Sequence, residues 1–151
     1  MNYLELIEKR NSIRDFLKKP VEQDKLDEIT GFFNSAQNLF DVNTQLLIFS
    51  NEDTAQRLTG VVGYRGNAFN APSYLVMLSE EKDNYLINAG FVSEHILLKL
   101  EEMGLSSCYL TCDDDDIVKK ALLIDSDLAV ATVIAFGYGK KEKDTTKIDI
   151  H

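Results

Sequence analysis

The longest helical pattern in the chain runs from Asn84 to Met103 and is followed by Gly104. Its apolar positions are Leu86, Ile87, Ala89, Phe91, Val92, Ile96, Leu97, Leu98, Leu100 and Met103, and its polar positions are Asn84, Asn88, His95, Lys99 and Glu102. The apolar positions surround most of the helix, while the polar ones follow one narrow stripe. We therefore expect a helix that is buried on most sides, in a core or against another subunit, with a solvated polar stripe and an end at Gly104.

Shorter patterns predict the remaining elements. Helices are expected from Asn2 to about Lys9, from Pro20 with a buried stripe of Leu26, Ile29, Phe33, Ala36 and Phe40, from Asp53 to Leu58, and after the acidic run Asp113 to Asp116. Strands are expected at residues 44–49, 73–78, 107–112 and 128–136, where apolar residues are continuous. Because no repeat or linker interrupts this order, residues 1–139 are predicted to form one domain, followed by a polar tail at 140–151.

Composition narrows the class of protein. The chain has 151 residues, of which 44% are hydrophobic and 27% charged, as expected for a soluble globular domain. A net charge of −9 argues against nucleic-acid binding, which needs a basic face. No apolar run is long enough for a membrane span, and the first residues do not form a signal peptide, so the cytoplasm is the default location.

Few residues offer chemistry of their own. Cys108 and Cys112 are the only cysteines, and we expect both to be small buried hydrophobes rather than a redox pair. His95 and His151 are the only histidines, so neither a metal site nor a histidine-based triad is expected. The four aspartates at 113–116 are explained as capping and first-turn residues of the following helix. Without a nucleophile–base pair, catalysis would depend on a bound cofactor, and no catalytic side chain is predicted.

Two segments are candidates for anion binding. If residues 10–14 run extended, Arg10, Ser12 and Arg14 point to one side and their donors suit a phosphate. Alternatively, Arg10 complements the end of the first helix and Arg14 pairs with a nearby carboxylate. The glycine-rich segment at 60–67 lacks dinucleotide-binding spacing and is predicted to be a flexible loop, in which Arg65 either reaches an anion or is solvated.

Three segments carry a family resemblance. They are Arg10-Asn11-Ser12-Ile13-Arg14-Asp15-Phe16, Ala71-Pro72 before an apolar strand, and Asn88 to Glu94 continuing to Gly104-Leu105-Ser106-Ser107-Cys108-Tyr109-Leu110. In this order and spacing they resemble the FMN-dependent nitroreductase family, most closely the branch first defined from thermophile genomes. The resemblance covers most of residues 3–139. It implies an α+β fold with a mixed, largely antiparallel sheet flanked by helices and a long buried central helix.

The resemblance also implies a set of cofactor-binding residues. Arg10, Ser12 and Arg14 would bind the phosphate and ribityl chain of FMN. Asn43 and Gln45 occupy an Asn-x-Gln position near the flavin ring. Leu110 and Thr111 fall where a backbone N–H reaches flavin N5. The family commonly forms a homodimer, with the central helix at the interface and FMN in a cleft between subunits or between two related halves.

This sequence departs from the family pattern at several positions. Leu46 and Leu47 replace the Pro-Trp that often follows Asn-x-Gln, Ser106 replaces a glycine, and Tyr109 replaces a tryptophan. The chain also ends soon after Gly139, where relatives usually continue with a basic residue that helps to hold the phosphate. Such an ending is expected of a shortened or truncated member, in which Lys140, Lys141 or Lys147 would supply that contact.

The function implied is an FMN-dependent oxidoreductase that takes electrons from NAD(P)H and passes them to a nitroaromatic, a quinone or a similar small acceptor. The alternative is a degenerate, non-catalytic module that binds a flavin or nucleotide. Glu94 leaves the polar stripe and joins the face of Ile87, Phe91 and Leu98, so two interpretations stand for it. It either forms a buried pair with an arginine or has a role at an interface or at the flavin edge.

Overall fold

A four-stranded antiparallel sheet forms the centre of the protein, as seen in a computed structural model that describes residues 4–5, 15–36 and 38–140. Its strands are β1 (Thr44–Phe49), β2 (Ser73–Ser79), β3 (Ser106–Leu110) and β4 (Ala129–Gly137). Their order in the sheet is β1-β2-β4-β3. All four predicted strands are confirmed, and β2 is buried along its whole length.

Among the described residues after position 15, four α-helices cover the two faces of this sheet. They are α1 (Gln23–Ser35), α2 (Thr54–Leu58), α3 (Tyr85–Glu102) and α4 (Asp115–Leu122). The predicted continuation of α1 to Phe40 is wrong. The Ser35 hydroxyl donates to the Phe32 carbonyl at 3.0 Å, and the next residue, Ala36, is extended with ψ 141°. Serine side chains that bond nearby carbonyls compete with helix propagation, which fits an end at this point.

Alternate residues of the strands supply two separate cores. Leu75, Met77, Ile134 and Phe136 face α1 and α3 on one side. On the other side, Tyr74, Val76, Leu78, Val133 and Ala135 face α2 and α4. Because successive strand residues point to opposite faces, a continuous apolar run in β2 or β4 is what a sheet covered on both sides requires. The α+β class is confirmed, and every strand pair in the described residues is antiparallel.

The long helix α3 matches its predicted length but not its predicted faces. Asn88, which was assigned to the polar stripe, is fully buried, whereas Leu86, Ile87 and Phe91 are exposed. The Asn88 Oδ1 accepts hydrogen bonds from the Leu39 and Phe40 N–H groups at 2.7 and 3.0 Å. Its Nδ2 donates to Asn38 Oδ1 at 3.1 Å. The assignment of Asn88 to solvent was therefore wrong, because this side chain caps the loop that leads from α1 to β1.

The remaining residues of α3 clarify two expectations. Gly104 ends the helix with φ +79°, as predicted, and Glu94 is partly exposed rather than buried. Exposed Phe91 and Leu39 border a groove of about 460 Å³ between α3 and the end of α1.

None of the helices in the described ranges is long and apolar enough to cross a membrane.

The acidic run before α4 has the structural role that was predicted. Asp114 is the N-cap, and its carboxylate accepts from the Asp116 and Ile117 N–H groups at 3.0 and 3.3 Å. Asp115 Oδ2 accepts from Val130 N–H at 2.9 Å and so ties α4 to β4. Across the described part of the chain, no group of three or more His, Cys, Asp or Glu residues is placed to hold a metal ion.

Candidate functional site

The end of β3 meets the glycine-rich loop. Leu110, the last strand residue, pairs with Val133 and is buried, while Thr111 is exposed. The Thr111 carbonyl accepts a hydrogen bond from Gly63 N–H at 2.8 Å. The end of β3 therefore presents an exposed residue beside a loop that carries Arg65.

Hydrogen bonds close the glycine-rich loop on itself. Gly60 N–H donates to the Gly66 carbonyl at 2.8 Å, and Gly66 N–H donates to the Gly63 carbonyl at 3.0 Å. All three glycines have positive φ, where side chains are unfavourable. At Gly66 a Cβ would also lie 2.8 Å from the Gly60 Cα, so the two turns approach too closely for any larger residue. The segment is a loop, as predicted, and the spacing of its glycines allows the tight closure.

A buried tyrosine fixes the loop to the sheet. The Tyr74 hydroxyl donates to the Ala68 carbonyl and accepts from Ala71 N–H, both at 2.9 Å. Burial raises the pKa of Tyr74, so the phenol stays protonated and can serve both bonds. Val62 and Ala68 are themselves buried in the core under α2 and α4. The loop is thus held at its base by β2 while Tyr64 and Arg65 remain exposed.

Cys112 lies next to Thr111 but is a poor candidate nucleophile. Burial, reinforced by the neighbouring Asp115 carboxylate, raises the pKa of its thiol. The thiol form is therefore favoured near neutral pH. Cys108 is buried as predicted, whereas Cys112 is only half-buried. Cys112 therefore does not supply the thiolate that covalent catalysis would need.

Alkylation of Cys112 should reveal this raised pKa. In a Cys108→Ala variant, we expect the iodoacetamide rate of the folded chain to be slower at pH 8 than that of the same chain in denaturant. Because a raised pKa leaves less thiolate at a given pH, the folded-state rate should rise with pH and reach its midpoint above that of the unfolded chain. A folded-state midpoint at or below the unfolded one would contradict the effect of burial.

Asn43 and Gln45 lie at the opposite edge of the sheet from Leu110 and Thr111. Both are exposed, and the Asn43 backbone is fixed by Glu80, whose carboxylate accepts from Asn43 N–H at 2.6 Å. Since β2 and β4 separate β1 from β3, three strand spacings of about 4.8 Å put the two edges about 14 Å apart. Within one chain, therefore, the pair Asn43 and Gln45 lies at one edge of the sheet and the pair Leu110 and Thr111 at the other, and the two pairs do not meet.

Arg10, Ser12 and Arg14 lie outside the described residues, but the segment that follows them is placed. Phe16 pairs with Gly139 as an antiparallel bridge, and Leu17 N–H donates to the Tyr138 carbonyl at 2.8 Å. Lys140 Nζ lies 3.2 Å from Asp15 Oδ1. Of the lysines considered for the phosphate, Lys140 is therefore paired with a carboxylate, and Lys141 and Lys147 lie outside the described residues.

Tyr138 anchors this pairing to α1. Its hydroxyl accepts from Lys25 Nζ at 2.8 Å and donates to Glu22 Oε1 at 2.6 Å. The bond with Tyr138 is the main reason why the pKa of Lys25 is raised and that of Glu22 lowered. Lys25 also donates to the Met103 carbonyl at 3.3 Å and thereby caps the end of α3.

The residues exposed at the end of β3 are Thr111 and, on the loop that contacts it, Arg65. A backbone amide and a cation are groups that suit a flavin ring. Sequence reasoning missed the contact between this loop and Thr111. The spacing of the glycines at positions 60, 63 and 66 was the only feature of the local sequence that pointed to this contact.

The chain matches the model of a protein family described as "Putative TM nitroreductase" over residues 2–149. It therefore belongs to this nitroreductase family, and the predicted family is confirmed. No curated protein matches the chain.

Solved structures share the fold. A nitroreductase family protein from Clostridium novyi NT superposes with a TM-score of 0.81 at 22% identity, over 95% of this chain and 88% of that one. An FMN-dependent nitroreductase from Clostridium difficile R20291 gives 0.78 at 21% identity, over 98% and 97%. A nitroreductase with bound FMN from Bacteroides fragilis NCTC 9343 gives 0.77 at 19% identity, over 93% and 90%. At these identities the likeness establishes the nitroreductase fold.

Proposed function

We propose that this protein is an FMN-dependent oxidoreductase that accepts electrons from NAD(P)H and reduces a nitroaromatic, a quinone or a similar small molecule. The observation that carries this proposal is the exposed residue Thr111 at the end of β3, in a chain of the nitroreductase family. Solved proteins of the same fold are described as FMN-dependent or contain FMN, which supports the choice of cofactor.

Bound FMN would supply the hydride and electron transfer between donor and acceptor. The chain's own residues would bind, orient and tune this group. The Thr111 N–H would donate to the ring, and Arg65 would offset the negative charge that develops on reduction. Arg10, Ser12 and Arg14 would hold the phosphate through charge-assisted hydrogen bonds. The raised pKa of Cys112 disfavours a covalent role for this thiol.

Two copies of the chain would complete the site. Asn43 and Gln45 are about 14 Å from the Thr111 edge, so they cannot line the same ring within one chain. A homodimer would let the Asn-x-Gln edge of one copy face the Thr111 edge of the other. The exposed apolar residues Leu86, Ile87 and Phe91 on α3 provide a surface for such an association.

Titration with FMN tests the proposal. We expect the purified chain to bind FMN with quenching of flavin fluorescence, and Arg14→Ala to raise the Kd about 10- to 150-fold. A charge-assisted bond to phosphate is worth about 1.5–3 kcal/mol, which corresponds to that range. Binding of riboflavin, which lacks the phosphate, should be unchanged by the same substitution.

Arg57→Ala is the matched control, because it removes the same charge from a surface arginine that pairs with Asp53 at 2.8 Å. Equal FMN affinity in the Arg14 and Arg57 variants would reject the phosphate assignment. A chain that takes up no FMN would reject the proposed function. Bound FMN that NAD(P)H does not reduce without oxygen would favour the non-catalytic module instead.

A further inference from the structure

A polar pocket of about 420 Å³ lies where β1 ends and β2 begins. Its wall combines residues that follow β1, residues that precede β2 and Lys18 from the segment before α1. Sites for small molecules typically enclose about 300–1,000 Å³, so this volume is sufficient for one. The described residues that the family resemblance assigns to the flavin do not line the pocket, and they are Asn43, Gln45, Leu110 and Thr111.

Hydrogen bonds fix the floor of this pocket. Ser73 is fully buried, and its hydroxyl lies 2.7 Å from the Ser50 hydroxyl, so that one of the two donates to the other. Ala71 is also buried, and its N–H donates to the Tyr74 hydroxyl at 2.9 Å. Because these bonds belong to the fold itself, the floor is formed before a ligand arrives, and binding requires little rearrangement.

The fold leaves several polar side chains of the pocket wall unused. Within the described part of the chain, no hydrogen bond or ion pair engages the side chains of Lys18, Asn51, Glu52 and Asn70. Their neighbours in sequence are engaged: the Lys19 ammonium lies 4.4 Å from the centre of the Tyr138 ring. Asp53 pairs with Arg57 at 2.8 Å. The polar groups of the pocket are therefore available to a ligand.

The charges of the pocket select the kind of ligand. Lys18 and Glu52 have opposite charges and line the same pocket, but they do not pair with each other. A ligand with a negative charge alone would be attracted by Lys18 and repelled by Glu52, and a cation would meet the reverse. A ligand that has both charges is attracted by both residues. Asn51 and Asn70 have carboxamides, which donate and accept, so they can bond to either end of such a ligand.

We propose that this pocket binds a small zwitterion, an amino acid or a dipeptide, with the ligand's carboxylate at Lys18 and its ammonium at Glu52. The carboxamides of Asn51 and Asn70 complete the contacts. The site is independent of the proposed function, because no described flavin candidate lines it. Uptake of FMN and binding of the zwitterion can therefore succeed or fail separately.

Titration of the full, ¹⁵N-labelled chain by NMR tests the proposal, with L-alanine and L-alanyl-L-alanine as probes. We expect at least one of them to shift the side-chain amide signals of Asn51 and Asn70, with a Kd of about 1–10 mM for a ligand of this size. The N-acetylated dipeptide lacks the ammonium, and the dipeptide amide lacks the carboxylate. Each should bind about fivefold more weakly than the unmodified dipeptide.

Substitutions of the two charged residues separate their roles. Lys18→Gln and Glu52→Gln should each weaken the unmodified dipeptide about fivefold. Glu52→Gln should instead strengthen binding of the N-acetylated dipeptide, because it removes a repulsion of the remaining carboxylate. Lys18→Gln should strengthen binding of the dipeptide amide for the corresponding reason. Lys19→Gln and Glu81→Gln are the matched controls, since they remove the same charges from exposed positions that do not line the pocket.

Several results would overturn this inference. They are the absence of shifts at Asn51 and Asn70 with both zwitterions, equal affinity for the acetylated and unmodified dipeptides, and losses in the control variants as large as those in the Lys18 and Glu52 variants. Unfolding in denaturant confirms that each variant is folded. All four substitutions are at exposed side chains, so we expect wild-type stability.

Discussion

Replacing Leu97 with alanine is expected to lower the free energy of unfolding by about 2–5 kcal/mol. Leu97 is fully buried on α3 and packs in the core that α1 and α3 share with the sheet. The substitution removes three carbon atoms from a position enclosed on all sides, so the lost transfer energy is joined by the cost of the cavity. Urea or guanidinium denaturation of the purified chain provides the measurement.

Leu86→Ala is the matched control, since it makes the same change on the same helix at a side chain that is 60% exposed. We expect it to alter stability by no more than about 0.5 kcal/mol in a monomer. If the proposed homodimer covers this face, Leu86→Ala should instead weaken association in sedimentation experiments. Similar losses from Leu97→Ala and Leu86→Ala in a monomeric sample would contradict the observed orientation of α3.

Asn88→Ala should cost about 2–4 kcal/mol of unfolding free energy. The substitution leaves the Leu39 and Phe40 N–H groups without the acceptor that Asn88 Oδ1 provides, and it also removes the bond to Asn38. Unsatisfied donors in partly buried positions are costly, although water can reach Leu39 and limits the loss. Denaturant unfolding again measures the change.

Asn38→Ala separates the parts of this network. It removes the bonds to Asn88 and to the Val42 carbonyl, which is 3.2 Å from Asn38 Nδ2, but leaves the two backbone bonds of Asn88. Its cost should be smaller, about 0.5–1.5 kcal/mol. The double variant should be less damaging than the sum of the two single ones, because they share one bond. Asn88→Ala with a cost below that of Asn38→Ala would refute the capping role.

The positions of the strands were readable from the sequence because they depend on local composition. Thr44–Phe49 has the predicted bounds, and β2 extends its predicted range by one residue. Both are continuous apolar runs bounded by turn-forming residues, which is a local property. The order β1-β2-β4-β3 was not predictable in this way, because it depends on how helices carry the chain across the sheet.

The faces of α3 show where periodicity fails. An almost uniformly apolar helix has no clear hydrophobic direction, so the pattern could not tell Leu97 from Leu86. Asn88 was misassigned because its partners Leu39 and Phe40 are distant in sequence. A buried polar side chain is identified by its hydrogen-bond partners, and these become known only when the loop is in place.

The candidate site likewise combines features that the sequence predicts with contacts that only the tertiary structure shows. The sequence by itself determined the strands, the extent of α3, the glycine stop at Gly104, the capping aspartates and the residue pattern of the family, because each depends on neighbours within a few positions. Only the tertiary structure decided that Gly63 meets Thr111 and that Gln45 lies at the far edge of the sheet. Such contacts join residues distant in the chain, and their geometry arises from strand order and packing rather than from local propensity.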